Sequence, residues 1–348
     1  MMERRASPKT PDPLQRHPSG WQSLARMLAS VFASCALVLI ILTICGFFGR
    51  HWWRLEQAAH FRVQYFWLLF AAAVALWLVR RPRIALASAA GALVNLALVA
   101  PIYLPAPETK LEGPQVRLVS YNVLGRNERF DEVLQFLRKE NADLVLLMEV
   151  RPAWAERIAE LADIYPHQHI VPRDDNFGIA LVSKLPWKEV HTHDFGVQVP
   201  TIVATYDLSG TPLVVIGAHP VPPSNVPAAA QRNEHLAAIG RFASLQSAPV
   251  VVAGDLNLTR FSPYFHDLLE QGDLADSRQG FGIQASWTPR LPVLTIAIDH
   301  CLISPRIAVL DRRVGSYFGS DHRPVIVHLQ LSSAEVAPRF EHRGGGEK

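Results

Sequence analysis

Val250-Val251-Val252-Ala253-Gly254-Asp255-Leu256-Asn257 is a β-branched apolar run that stops at glycine and then presents a carboxylate and an amide. The pattern predicts a buried strand carrying Asp255 and Asn257 to a pocket at its C-terminal end, with period-2 alternation pointing both the same way. A carboxylate beside an amide suits phosphate chemistry. The carboxylate takes a proton or steers a water, and the amide hydrogen-bonds a non-bridging oxygen without adding negative charge. Taken alone, the same residues also describe an Asx turn closing a core strand. The rest of the chain decides between these readings. Asn122, Glu149, His219, Asp299 and Asp321-His322 each lie at or just beyond the end of an apolar run, and such a recurrence in order marks a site.

The elements that must position these residues alternate in type. Strands are predicted at 116–121, 144–148, 179–183, 202–208, 213–218, 296–303, 307–314 and 325–330, together with the run that opens at Val250. Helices carry Phe130, Val133, Leu134 and Leu137, then Trp154, Ile158 and Leu161, and then the stretch from Ala228 to about Leu245. Mixed strands with helices outside them predict a layered α/β sandwich, two mixed β-sheets flanked by helices, over residues 116–333. His300 follows Asp299 and points to the opposite face. Asn176, just before the strand at Ile179, is either a substrate contact or a turn residue. His219, before Pro220, has a simple strand end as its lesser alternative.

These stretches resemble the endonuclease/exonuclease/phosphatase superfamily of Mg²⁺-dependent phosphodiesterases. The resemblance rests on Ser120-Tyr121-Asn122, Leu147-Met148-Glu149, the Gly178–Lys184 run, Gly217-Ala218-His219-Pro220, Gly254-Asp255-Leu256-Asn257, Ile298-Asp299-His300 and Gly319-Ser320-Asp321-His322-Arg323-Pro324. It implies that Glu149, helped by Asn122, holds Mg²⁺, with Mn²⁺ as a substitute, since a hard cation takes oxygen ligands. Asp321 assists a metal or a water. Asp299 fixes the His322 ring, which activates water or donates to the phosphoryl oxygen; the sequence leaves both roles open. Asp255, His219 and Asn257 complete the set, with His219 and Asn257 holding non-bridging oxygens.

The chain in front of this domain is apolar. No charge occurs from Met27 to Gly49, from Val63 to Val79 or from Ile84 to Pro107, and each run approaches the roughly 20 residues that cross a bilayer. Three transmembrane helices are expected, at about 27–49, 63–79 and 84–104. A cleaved signal peptide fits poorly, because its apolar core would be too long and would follow a polar Pro-containing tail. Residues 1–26 form that tail, 108–115 a linker and 334–348 a Gly-containing tail expected to be disordered. Lys and Arg favour the N-terminal tail and the loop at Arg80, Arg81 and Arg83. That bias places the N-terminus in the cytoplasm and the catalytic domain in the periplasm of a bacterium, anchored in the inner membrane. The whole arrangement looks like a membrane-anchored bacterial branch of the superfamily.

Charge bounds the substrate. The net charge is +3, yet from Glu112 to Glu335 there are 19 Lys and Arg against 25 Asp and Glu, so the positive excess belongs to the tails and loops. An acidic domain is poorly equipped to neutralise the phosphates of a duplex. Lipid headgroups or other small phosphoesters are therefore favoured over nucleic acid. An extracytoplasmic nuclease and an inactive binding module are the competing readings. Cys35 and Cys45 lie in the first apolar run and Cys301 is alone in the large domain, which excludes an internal disulfide there.

Overall fold

The structure, a computed structural model, describes residues 20–105, 111–289 and 291–332. The N-terminal tail up to residue 19, the first part of the linker and the C-terminal tail from 333 lie outside the described residues. The apolar region begins with α1 (Gly20–Cys45), followed by a short α2 (Trp53–Ala59), α3 (Arg62–Leu78) and α4 (Pro82–Val99). Helices α1, α3 and α4 pack through small and apolar residues such as Ala36, Leu69, Ala72, Leu76 and Ala92. Their outward faces expose Phe32, Val38, Trp67, Phe70, Leu86 and Leu93. An apolar exterior on a helical bundle is what a lipid environment covers.

Among the described residues two helical stretches are long and apolar enough to cross a membrane, Arg26–Phe48 and Pro82–Tyr103. The run expected to span at 63–79 forms α3, Arg62–Leu78, preceded by a bend. Helix α3 has 17 residues, about 25 Å at 1.5 Å per residue, and it meets α2 at 63°. Counting that bent pair gives a third span. The bend falls at His60-Phe61, between the polar residues of α2 and the apolar run of α3.

The large domain opens with β1 (Gln115–Asn122), α5 (Phe130–Glu140), β2 (Leu144–Met148), α6 (Pro152–Ala159), β3 (His167–Val171) and β4 (Ile179–Ser183). Its second half runs β5 (Trp187–His193), β6 (Thr201–Leu208), β7 (Thr211–Gly217), α7 (Val226–Ser244), β8 (Val250–Asp255), α8 (Pro263–Gly272), β9 (Ala275–Asp276) and β10 (Asp299–Ile303). Strands β11 (Ile307–Val314) and β12 (Val325–Leu331) return to the first sheet. The described strands form two six-stranded mixed sheets, ordered β11-β12-β1-β2-β4-β3 and β5-β6-β7-β8-β10-β9. Each centres on a parallel pair, β1 with β2 and β7 with β8.

Alternation along β2 shows why this sequence makes a sandwich. Leu144, Leu146 and Met148 face the second sheet, whereas Val145 and Leu147 face α5 and α6. Both faces are covered, so the strand is apolar throughout. Sheet contact is close: a Cβ on Gly217 would lie 2.3 Å from Leu146 Cδ1. Truncating Leu146, which is fully buried, would cost about 2–5 kcal/mol. The second sheet's outer face packs on α7 and α8 through Leu236, Ile239, Phe265 and Leu268.

Some elements depart from expectation. Strand β10 starts at Asp299 rather than Ile296, because Ile296 leaves the sheet to bridge Trp287. Since β10 runs antiparallel to β8, its first residue pairs with the last residue of β8, Asp299 with Asp255. The half-exposed edge strands β3 and β5, and the helix α8 capped by Ser262, lack the continuous apolar run by which the other elements were recognised.

Candidate active site

The C-terminal ends of β1 and β2 supply the first half of the site. Asn122 is the last residue of β1; its Nδ2 donates to Glu149 Oε1 at 3.1 Å and to Asp255 Oδ2 at 3.2 Å, while its Oδ1 accepts from the Leu124 N–H at 3.0 Å. Glu149 follows β2 in the left-handed conformation, φ 60°, unusual for a residue with a Cβ and a recurrent feature of functional sites. Its Oε2 accepts from the Gly125 N–H at 3.0 Å. Each carboxylate oxygen therefore has one donor and keeps acceptor capacity.

The second sheet brings the other half. Asp255 ends β8, and its N–H donates to the Met148 sulfur at 3.1 Å, joining the end of β8 to the end of β2 across the sandwich. Gly254 before it has φ 140°, and a Cβ there would lie 1.9 Å from the Ala218 carbonyl. Only glycine lets β8 and the His219 segment approach so closely. His219 Nε2 and His322 Nε2 each lie 3.5 Å from Asp255 Oδ2. His322 Nδ1 donates to Asp299 Oδ2 at 2.9 Å, since an ionised carboxylate can only accept. The predicted pair of His322 with Asp299 and the opposite orientation of His300 are both present.

Electrostatics follow from this packing. Burial works against a charged His322 ring, but Asp299 and Asp255 outweigh it and lift the ring to about 10. Burial also raises Asp299, yet the His322 charge and hydrogen bond hold its carboxyl below the usual range. Asp255 goes the other way: burial, with Asp299's charge, pushes it up more than the two imidazoles pull it down. The site thus pairs a charged donor ring with a carboxyl suited to accept a proton.

Asp321, Asn257 and Asn176 line the same cleft, of about 660 Å³. Asn257 sits past the end of β8 with φ 54°, so a turn rather than strand alternation sets its direction. Its Nδ2 donates to the Pro220 carbonyl at 2.9 Å. Asp321 accepts from Trp287 Nε1 at 3.1 Å, and its buried Oδ1 has no partner among the described residues. Exposed Asn176 accepts from Arg151 at 3.4 Å. Sequence reading gave no role to Ser320, which donates from its Oγ to the Asn122 carbonyl at 2.7 Å and accepts from the His322 N–H at 3.0 Å. It ties the two halves together, and its place inside the Gly319–Pro324 motif was the available signal. Phe177, 5.7 Å from the His219 ring, and the cleft-lining Gln57 and His60 of the apolar region were also missed.

Two places can be weighed for a cation. Asp255, Asp299 and His322 offer ligand atoms within 4.8 Å of one another, but Asp299 Oδ2 is already committed to His322 Nδ1 at 2.9 Å. Glu149 fits a hard cation better, with two oxygens of spare capacity at the cleft. Asn122 keeps that carboxylate in place through Nδ2, and its Oδ1, with one donor from Leu124, keeps a lone pair.

Solved structures share this architecture. A humanized TDP2 of D. rerio is 18% identical with a TM-score of 0.53, covering 62% of this chain and 99% of that one. An endonuclease/exonuclease/phosphatase from Bacteroides vulgatus is 18% identical with a TM-score of 0.52, covering 63% and 100%. One from Beutenbergia cavernae is 21% identical with a TM-score of 0.50, covering 64% and 73%. At such identities the likeness concerns the fold. No curated protein matches the sequence. Residues 119–322, which run from β1 to His322 and enclose both halves of the cleft, match a family as a whole, and the chain belongs to the Endonuclease/Exonuclease/phosphatase family.

Proposed function

We propose that this chain is a membrane-anchored, Mg²⁺-dependent phosphoesterase that hydrolyses a lipid headgroup or another small phosphoester outside the cytoplasm. The observation that carries the reading is the His322 ring, held through Nδ1 by Asp299 while Nε2 lies 3.5 Å from Asp255 in the cleft that Glu149 also lines. Water adds to phosphorus, the bond from phosphorus to the leaving oxygen breaks, and the water's proton passes to Asp255. His322 Nε2–H donates to a non-bridging oxygen as negative charge grows there, and His219 and Asn257 support the same oxygens. Glu149, steadied by Asn122, would hold the cation, with Asp321 assisting the metal or the water. The bound cation supplies positive charge to the phosphate and the departing oxygen. The leaving oxygen takes up a proton from solvent.

Hydrolysis of bis-p-nitrophenyl phosphate by the full-length protein, with and without Mg²⁺, tests the reading. Glu149→Gln keeps the shape of the side chain and removes its charge, so it should abolish Mg²⁺-dependent turnover and weaken Mg²⁺ binding in calorimetric titration. Equal Mg²⁺ affinity in both proteins would sink the metal assignment. Topology has its own measurement. An alkaline phosphatase reporter fused after Pro107 should be active and one after Pro82 inactive; the reverse pattern would move the site into the cytoplasm. The acidic balance of the domain supports a small or lipid substrate over duplex DNA.

A further inference from the structure

Helix α2, the connector between the first two apolar segments, is built into the catalytic domain. Glu56 is fully buried; it pairs with the equally buried Arg232 of α7 and accepts from Ser262 Oγ at 2.6 Å. Arg232 in turn donates through Nη1 to the Asn257 carbonyl at 3.1 Å. A chain of buried polar contacts therefore runs from the connector to a cleft residue. His60 Nδ1 meets Thr259 Oγ1 at 3.0 Å, and Gln64 of α3 donates to the Thr295 carbonyl at 2.8 Å. From the end of α4, the carbonyls of Pro101 and Leu104 accept from Gln279 Nε2 at 2.6 and 2.7 Å. With contacts from three segments, the domain is seated on one end of the helical bundle.

That seating forms part of the cleft. Gln57 and His60 line it together with Glu149, His219 and His322. Gln57 is half-buried, and its side-chain amide has no hydrogen-bonding partner among the described residues. The same end of the bundle is apolar on its outside. Phe47, Phe48, Trp52, Tyr103 and Leu104 are exposed there, the composition of an interfacial belt. The domain adds to it: the loop before Thr295 exposes Leu291 and Val293 by 62% and 70%, and the chain then turns into the cleft-lining Ile296 and Ile298.

We infer that α2 is a wall of the active site, that Gln57 binds the substrate, and that the phosphoester is carried on a lipid presented at the surface of the membrane holding α1 and α4. The inference rests on the phosphoesterase reading and names its substrate class. A lipid phosphate enters beside Leu291 and Val293 with its chains left in the bilayer, and the headgroup meets the Gln57 amide as the phosphorus reaches His322. A cleft with one wall at the membrane, in a domain of acidic balance, receives a lipid phosphate more readily than a long polyanion.

The test uses the full-length protein in vesicles of phosphatidylethanolamine and phosphatidylglycerol. Mg²⁺-dependent release of water-soluble phosphorus from the vesicles is measured beside hydrolysis of bis-p-nitrophenyl phosphate in the same preparation. The wild type should release phosphorus. Gln57→Ala should raise KM for the vesicle lipid about tenfold with kcat changed by no more than about twofold, the pattern of a lost binding contact. Gln57→Glu, of similar size but anionic, should raise it further. Neither change breaks a bond to the domain, so folding is preserved. Hydrolysis of the soluble diester without release from vesicles overturns this inference and leaves the phosphoesterase reading standing, as does wild-type kinetics on vesicles in both variants. Failure to hydrolyse either probe overturns the phosphoesterase reading and the inference with it.

Discussion

Asp299 and His300 are neighbours on β10, yet each belongs to a different buried charged cluster on an opposite face of the strand. On one face Asp299 holds His322, and the cluster leaves bonding capacity: among the described residues His219 Nδ1 and Asp321 Oδ1 have no partner, and His322 Nε2 lies 3.5 Å from Asp255. On the other face His300 uses both ring nitrogens. Its Nε2–H donates to the Leu258 carbonyl at 2.8 Å, which leaves Nδ1 to accept from Arg278 at 3.2 Å. Arg278 also grips both oxygens of Asp276, between 3.0 and 3.3 Å. Burial and charge are common to both clusters. What separates them is unfilled capacity facing a cleft, which a substrate can use, against capacity filled within the protein, which only specifies the fold.

The contrast should break most sharply at His322. His322→Ala should lower bis-p-nitrophenyl phosphate turnover by about 10³-fold or more, measured well below the variant's own unfolding temperature. Near-wild-type turnover there would make the open cluster as structural as the filled one. Arg278→Leu on the filled face should do the opposite. It removes the closest cationic partner of the buried Asp276 carboxylate and leaves Arg260 at 3.8 Å, costing about 3 kcal/mol and lowering the unfolding temperature by roughly 10 °C. The folded fraction should keep its turnover within a few-fold, and a specific loss of activity at full stability would erase the distinction.

Acid sharpens the same comparison with a smaller effect. Burial, with Arg278 beside it, pushes His300 from 6.5 down to about 3. Between those values the unfolded chain binds a proton that the folded chain does not. The contribution of neutral His300 is therefore complete above pH 6.5 and declines as pH falls from there toward 3. Between pH 6.5 and 5 the wild type should lose about 1–2 kcal/mol more stability than His300→Gln. Denaturant titrations at the two pH values measure this, and parallel losses would show that His300 is not held neutral.

Much of the sandwich was legible because buried strands announce themselves. The run Leu144–Met148 has the same ends in the sequence pattern and in the structure, and polar residues after several apolar runs meet at one cleft. Elements without such a run were missed. His167–Val171 and Trp187–His193 lie at sheet edges, where half-exposure blurs both polarity and period. The second apolar run coincides with α3, Arg62–Leu78, but the helix in front of it was not legible for a related reason. A count of uncharged residues reports apolarity, and it is silent on the 63° bend that turns the polar residues of α2 toward the domain.

Sequence by itself determined which residues end the strands and which face each takes. Side-chain direction alternates along a strand, so Asp299 and His300 had to part company wherever β10 lay. Tertiary structure alone decided what those residues meet. Asp255 faces two imidazoles from segments 36 residues before it and 67 after, and α2, some 200 residues before Asp255, closes the cleft. Backbone periodicity reaches only a few residues along a chain. Contacts across two sheets and a connecting helix arise from packing the finished elements, which no local pattern encodes.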